Sequence, residues 1–192
     1  MELKLSQDIL DSIDLSRYQK YDLDIGNKYF YLEGGKEHYR LLAYLSTLFH
    51  NKAMIDVGTN HGCSALALGY NQENRVYSFD VVNNRKESFS EEENITFKLR
   101  GDIEDYRGIA PSIVFMDADK SDGFEQELID FLLPVLIDSE SFLIMDDYHE
   151  YPVVQDCIHY LADQFPVHDL TEFGHYSGTH LVDFSKALEI VK

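Results

Sequence analysis

Short apolar runs recur along this chain, with segments of helical period between them. Ala53–Val57, Arg75–Val82, Ile95–Leu99, Ser112–Met116 and Ser141–Met145 each read as a strand. Lys36–His50 carries Leu41, Leu42, Leu45, Leu48 and Phe49 at helical spacing, and Gly62–Tyr70 reads as a second helix. Phe124, Leu128, Phe131, Leu132 and Val135 line one stripe of a longer helix, and Val154, Cys157, Ile158 and Leu161 mark another. Strands separated in this way pair in parallel through right-handed crossovers. A run as continuous as Ile113-Val114-Phe115-Met116 needs cover on both faces of its sheet. The predicted fold is therefore α/β, a doubly wound, mostly parallel sheet of seven strands. Val167–Phe173 and Thr179–Phe184, joined through Gly174–Gly178, add an antiparallel hairpin at its C-terminal end.

Residues 1–35 read differently, as an N-terminal extension. A weak amphipathic helix over Leu5–Leu15 precedes a Tyr-rich segment that ends at Gly34-Gly35. Residues 36–192 form the main domain. Lys86–Glu93 reads as a short acidic helical turn, and Pro134 falls late in the long helix pattern.

Charge and composition exclude several classes of function. Asp and Glu total 35 against 16 Lys and Arg, a formal net charge of −19. Nucleic-acid binders carry a basic footprint and anionic membranes attract basic clusters, so neither partner is expected. The balance suits a cationic small ligand or divalent metals, or serves solubility alone. No apolar run approaches the ~20 residues that span a bilayer. The opening Met1-Glu2-Leu3-Lys4 lacks a charged-then-apolar signal pattern, so a cytoplasmic protein is expected. Cys63 and Cys157 form neither a disulfide framework nor a cysteine-rich metal site.

In a parallel sheet, ligands bind beyond the carboxyl ends of the strands. The first strand runs into Asp56-Val57-Gly58-Thr59-Asn60-His61-Gly62-Cys63-Ser64, where two glycines four apart allow a tight turn and a close ligand. No Gly-Lys-Ser/Thr follows, and Asn60 stands where the dinucleotide fingerprint needs glycine. The second strand ends at Asp80, placed to accept hydrogen bonds from a ribose diol. The fourth ends in Asp117-Ala118-Asp119-Lys120 and the fifth in Asp146-Asp147-Tyr148. Asp117, Asp146 and Asp147 would meet at one sheet edge, where carboxylates repel and raise each other's pKa. A divalent cation offsets that repulsion, and oxygen ligands favour Mg²⁺, Mn²⁺ or Ca²⁺. Helix capping by Asp119 and Asp147 explains only part of the cluster.

The turn and the strand-end acid resemble the class I S-adenosylmethionine-dependent methyltransferases, whose fold is Rossmann-like, over Lys36–Phe184. The resemblance implies a cofactor site of Asp56, Gly58, Asn60, Gly62, Ser64, Asp80 and Asp102. Ser64 would hold the methionine carboxylate, Asp80 the ribose, and Asp102 would lie near the adenine. Asp-Ala-Asp-Lys is similar to the metal-dependent O-methyltransferases of the catechol and caffeoyl-coenzyme A type, and Asp-Asp-Tyr to the macrocin O-methyltransferase group. Both imply Asp117, Asp146 and Asp147 as metal ligands. The first type implies Lys120 as base and the second Asp119; this chain has both. His149 is a candidate base or added ligand, while His175 and His180 flank the hairpin turn, at a pocket mouth or facing solvent.

The expected activity is O-methylation of a hydroxyl (a vicinal diol, catechol or sugar) on a small molecule, with S-adenosylmethionine and a divalent cation. A metal-independent methyltransferase and a non-catalytic cofactor-binding protein are the alternatives. A homodimer is expected if a neighbour supplies the cover that the short N-terminus lacks.

Overall fold

The computed structural model describes residues 2–21, 25–84, 92–99, 102–118, 120 and 123–191, with backbone only for 25–27. Nine strands are described. β1 (Glu2–Lys4) and β9 (Glu189–Val191) pair with each other. The main sheet contains β2 (Ala53–Val57), β3 (Arg75–Asp80), β4 (Ile95–Leu99), β5 (Pro111–Met116), β6 (Phe142–Met145), β7 (Val167–Asp169) and β8 (His180–Asp183). Their order is β4-β3-β2-β5-β6-β8-β7. All neighbours from β4 to β6 are parallel, and β8 runs antiparallel to both β6 and β7. The described helices are α1 (Gln7–Asp11), α2 (Ile25–Phe30), α3 (Tyr39–Thr47), α4 (Cys63–Leu68), α5 (Phe124–Asp138) and α6 (Pro152–Ala162).

Both faces of the sheet are covered, as the continuous strands require. Along β5, Ile113 and Phe115 join the apolar cluster under α3 and α4, while Val114 and Met116 join the cluster under α5 and α6. β6 alternates in the same way, with Phe142 and Ile144 on one side and Leu143 and Met145 on the other. This is the period of two that a pleated strand imposes. α5 presents Leu128, Ile129, Leu132 and Leu136 to the second cluster and runs through Pro134 to Asp138.

The N-terminal residues differ from expectation. The helix over Leu5–Leu15 shrinks to α1, because Ser6 caps it and Ser12 ends it. Leu3, Leu5, Leu10, Ile13, Leu15, Tyr18 and Tyr21 all enter the same cluster as α3 and α4. The hairpin strands are shorter than the sequence pattern. The turn expected at Lys86–Glu93 lies largely outside the described residues. No described helix is long and apolar enough to cross a membrane.

Candidate active site

β2, β5 and β6 end in register, and each end is tied to the next. Asp117 N–H donates to Val57 O at 2.9 Å, and Asp146 N–H donates to Met116 O at 3.2 Å. The turn after β2 follows at once. Gly58 takes φ +92°, and a Cβ there would lie 1.9 Å from the Asp117 carbonyl oxygen. Only glycine lets the two strand ends pass this closely. Gly62 immediately precedes α4, and Ser64 is buried in its first turn.

Asp80 folds back onto this turn. Its Oδ2 accepts from Asn60 N–H at 2.6 Å and its Oδ1 from Val82 N–H at 2.8 Å. A cleft of about 260 Å³ is lined by Gly58, Thr59, Asn60, Ser64 and Asp117, with His38, Tyr39 and Tyr29 on its other wall. A smaller hollow continues past Asp80 to Phe97, Lys98 and Leu99. Asp102 lines neither; it stands before the 3₁₀ turn Ile103–Tyr106.

Asp56 lies beneath the cleft rather than in it. It is wholly buried, and Ser78 Oγ donates to its Oδ2 at 2.6 Å. Burial pushes its pKa up to about 6, against the pull of the Ser78 and Ser64 hydroxyls. The folded protein thus keeps a proton that the unfolded chain releases near pH 4. Stability from this group is full below that pH and falls as pH rises to 6, by about 3 kcal/mol. Asp56→Asn is expected to remove that fall. Melting curves of wild type and variant from pH 4 to 7 check it, and parallel curves would refute it.

The acids at the next two strand ends do not close into one set. Lys120 Nζ stands between two of them, 2.5 Å from Asp117 Oδ1 and 3.2 Å from Asp147 Oδ2. Burial lowers the Lys120 pKa, but Asp117 and Asp147 outweigh it and leave it raised, so Lys120 holds its proton. Asp119 lies outside the described residues. Asp146 is buried among donors: Thr179 Oγ1 bonds its Oδ1 at 2.8 Å, and His175 Nδ1 lies 3.2 Å from its Oδ2. His38 Nδ1 lies 3.1 Å from the same oxygen.

Repulsion was expected to raise the pKa of each acid. Asp117 is raised, chiefly by burial. Asp146 moves the other way: burial pushes it up, but His38 and His175 outweigh that and hold it below the carboxylate range. In return, Asp146, with Asp117 and Glu37, overcomes burial and lifts His38 to about 9.

His38 and Glu37 are site residues that the sequence pattern did not single out. They are carried in by Gly35, whose φ of +87° lets it pack on the Glu172 carbonyl while its N–H donates to Gly174 O at 2.8 Å. Of the other histidines, His175 enters the site, whereas His149 faces Tyr148 and His180.

Among the described residues two groups have the spacing to hold a cation, Glu37 with His38 and His175, and Asp146 with Asp147 and His175. Ligand atoms of Asp146, Asp147 and His175 all lie within 4.8 Å of one another, and Asp117 is not among them.

The architecture, with its glycine turn after β2 and its closing antiparallel pair, is the fold of the class I S-adenosylmethionine-dependent methyltransferases. Among solved structures, a caffeoyl-CoA O-methyltransferase candidate from Staphylococcus aureus matches with a TM-score of 0.61 at 15% identity, over 88% of this chain and 95% of its own. An O-methyltransferase candidate from Klebsiella pneumoniae matches with a TM-score of 0.58 at 16% identity, over 92% of this chain and 98% of its own. A precorrin-6y C5,15-methyltransferase from Geobacter metallireducens matches at 0.53 and 13% identity, over 75% of this chain and 85% of its own. The fold thus hosts more than one acceptor. No protein-family model and no curated protein matches the chain.

Proposed function

We propose that this chain transfers the methyl group of S-adenosylmethionine to a hydroxyl oxygen of a small molecule, with a divalent cation at the ends of β5 and β6. The observation that carries this is the cleft between the Gly58–Ser64 turn and Asp117, continued past Asp80. The turn and Ser64 would take the methionine portion, and Asp80 the ribose. The sulfonium would then lie beside Asp117, next to the acid cluster.

In the transfer, the acceptor oxygen attacks the methyl carbon, the carbon–sulfur bond breaks, and S-adenosylhomocysteine leaves. The protein must align these atoms and exclude water. Tyr29, Tyr39 and His38 wall the cleft for that purpose. A bound cation lowers the pKa of a coordinated hydroxyl. Asp119 is the proposed acceptor of its proton, since Lys120 is held as an ammonium by two carboxylates. The Lys120 bridge also favours a second reading, a methyltransferase that needs no metal; full turnover in chelator would decide for it.

Asp80→Ala is expected to weaken S-adenosylmethionine binding at least tenfold. It removes charge-assisted bonds of about 1.5–3 kcal/mol each and frees the turn at Asn60. Calorimetry tests this, and an unchanged dissociation constant would place the ribose elsewhere.

A further inference from the structure

We infer that His175 completes the cation site with Asp146 and Asp147, so that it takes a first-row transition dication (Mn²⁺, Fe²⁺ or Zn²⁺) through mixed nitrogen and oxygen ligands, and that Asp117 stands outside it. This deepens the proposed function and rests on it for the site's purpose, though not for its chemistry.

The distances come first. His175 Nδ1 lies 3.2 Å from Asp146 Oδ2 and 3.9 Å from Asp147 Oδ1. Bonds of about 2.0–2.2 Å from nitrogen and oxygen to such a cation put neighbouring ligand atoms roughly 3–3.4 Å apart. The His175–Asp146 pair already stands at that spacing, His175–Asp147 is about half an ångström beyond it, and all three ligand atoms lie within 4.8 Å of one another. Asp147 has the right oxygen to spare, because Lys120 engages its Oδ2 and leaves Oδ1 on the His175 side. Asp117 meets the same ammonium through Oδ1, and it is not in the group of ligand atoms within 4.8 Å of one another.

The surroundings have the form of an outer shell. A metal-bound imidazole commonly offers its far nitrogen to a carboxylate, which fixes the ring. The Nε2 of His175 faces Glu37 Oε1 at 3.9 Å. The His175 backbone N–H donates to Thr179 Oγ1 at 2.8 Å, and Thr179 in turn bonds Asp146 Oδ1. One hydroxyl thus orients two of the three ligands. Ser177 Oγ lies 2.5 Å from His175 Nδ1 and holds that nitrogen when no cation does.

A second observation points to the same place. The Nδ1 of His38 is buried without a hydrogen-bond partner, although it lies 3.1 Å from Asp146 Oδ2. It is a second ring nitrogen beside the carboxylate that the cation would share. Imidazole nitrogen suits borderline transition ions, whereas Mg²⁺ and Ca²⁺ prefer oxygen-only sites.

The test uses the full chain with MnCl₂ as probe. Pulsed electron paramagnetic resonance is expected to show directly bound ¹⁴N on the Mn²⁺. His175→Ala should abolish that coupling and weaken Mn²⁺ binding at least about tenfold, with His175→Gln as a second variant if alanine unfolds the loop. Asp117→Asn should leave both readouts unchanged within about threefold. Bound Mn²⁺ without ¹⁴N coupling overturns the inference in favour of an oxygen-only site. Coupling that survives in both His175 variants overturns it too, by giving the nitrogen to His38. No Mn²⁺ binding at millimolar concentration also overturns it. Calorimetry with S-adenosylmethionine, run separately without metal, shows whether the methyltransferase reading fails as well.

Discussion

Gly58→Ala is expected to lose about 3–5 kcal/mol of stability and all measurable S-adenosylmethionine binding. The added methyl would meet the Asp117 carbonyl oxygen at 1.9 Å and its carbon at 2.6 Å. Those atoms belong to the backbone that leaves β5, which β2 and β6 hold from either side, so no side chain can swing away. A non-glycine residue at φ +92° adds about 1–3 kcal/mol, and the forced overlap a similar amount. In a domain of this size the sum lowers the melting temperature by roughly 10 °C or more. Gly108→Ala is the control: its φ is also positive, at +81°, but nothing lies within 4 Å of the new methyl. It should cost only the conformational share, about 1–3 kcal/mol, without the overlap. Thermal melting and calorimetry check both variants. Equal losses at the two positions would mean that conformation alone, and not the crossing of β2 and β5, sets the cost.

Asp146→Ala is expected to be the other severe change, even with chelator present. Asp146 is 1% exposed and takes contacts from His38, His175 and Thr179. Removing one partner of a buried ion pair leaves the other uncompensated, at about 3–5 kcal/mol. Asp117→Asn should be mild, because Lys120 keeps Asp147 as a partner. Chemical denaturation in EDTA measures the difference. If both variants unfold at the same denaturant concentration, Asp146 is not the hub of the cluster.

This contrast also marks how far the sequence could be read. The strands, their parallel order and the turn at Gly58–Gly62 were legible because their signals are local: apolar runs, glycine spacing and an acid at a strand end. The acids at the ends of β5 and β6 were legible as strand-end residues for the same reason. Their environment was not. His38 and Glu37 reach Asp146 from the start of α3, and His175 from the loop before β8. Nothing in the local pattern of either segment names Asp146 as its partner, so an acid flanked by two histidines read as an acid among acids alone. Asp56 stands out in the sequence by its motif position, and the bond from Ser78 that buries it there has no local signal. The pairing of β1 with β9 was hidden for a plainer reason. Each strand is three residues long, and each gains its meaning only from the other.

That pairing orders events in time. A ribosome releases Leu3 long before Ile190, yet the two are neighbours, and Leu5 N–H waits for Val191 O at 2.8 Å. The stretch suspended from β1 includes Tyr18 and Tyr21, and through Gly35 it carries His38 into the cleft and Glu37 to the side of His175. The parallel sheet can assemble as β2 to β6 emerge. The stretch over the cleft can dock before that, since Arg40 holds the Leu10, Asp11 and Ile13 carbonyls and Tyr44 the Lys4 carbonyl, and residues 189–191 then fix its first strand in place.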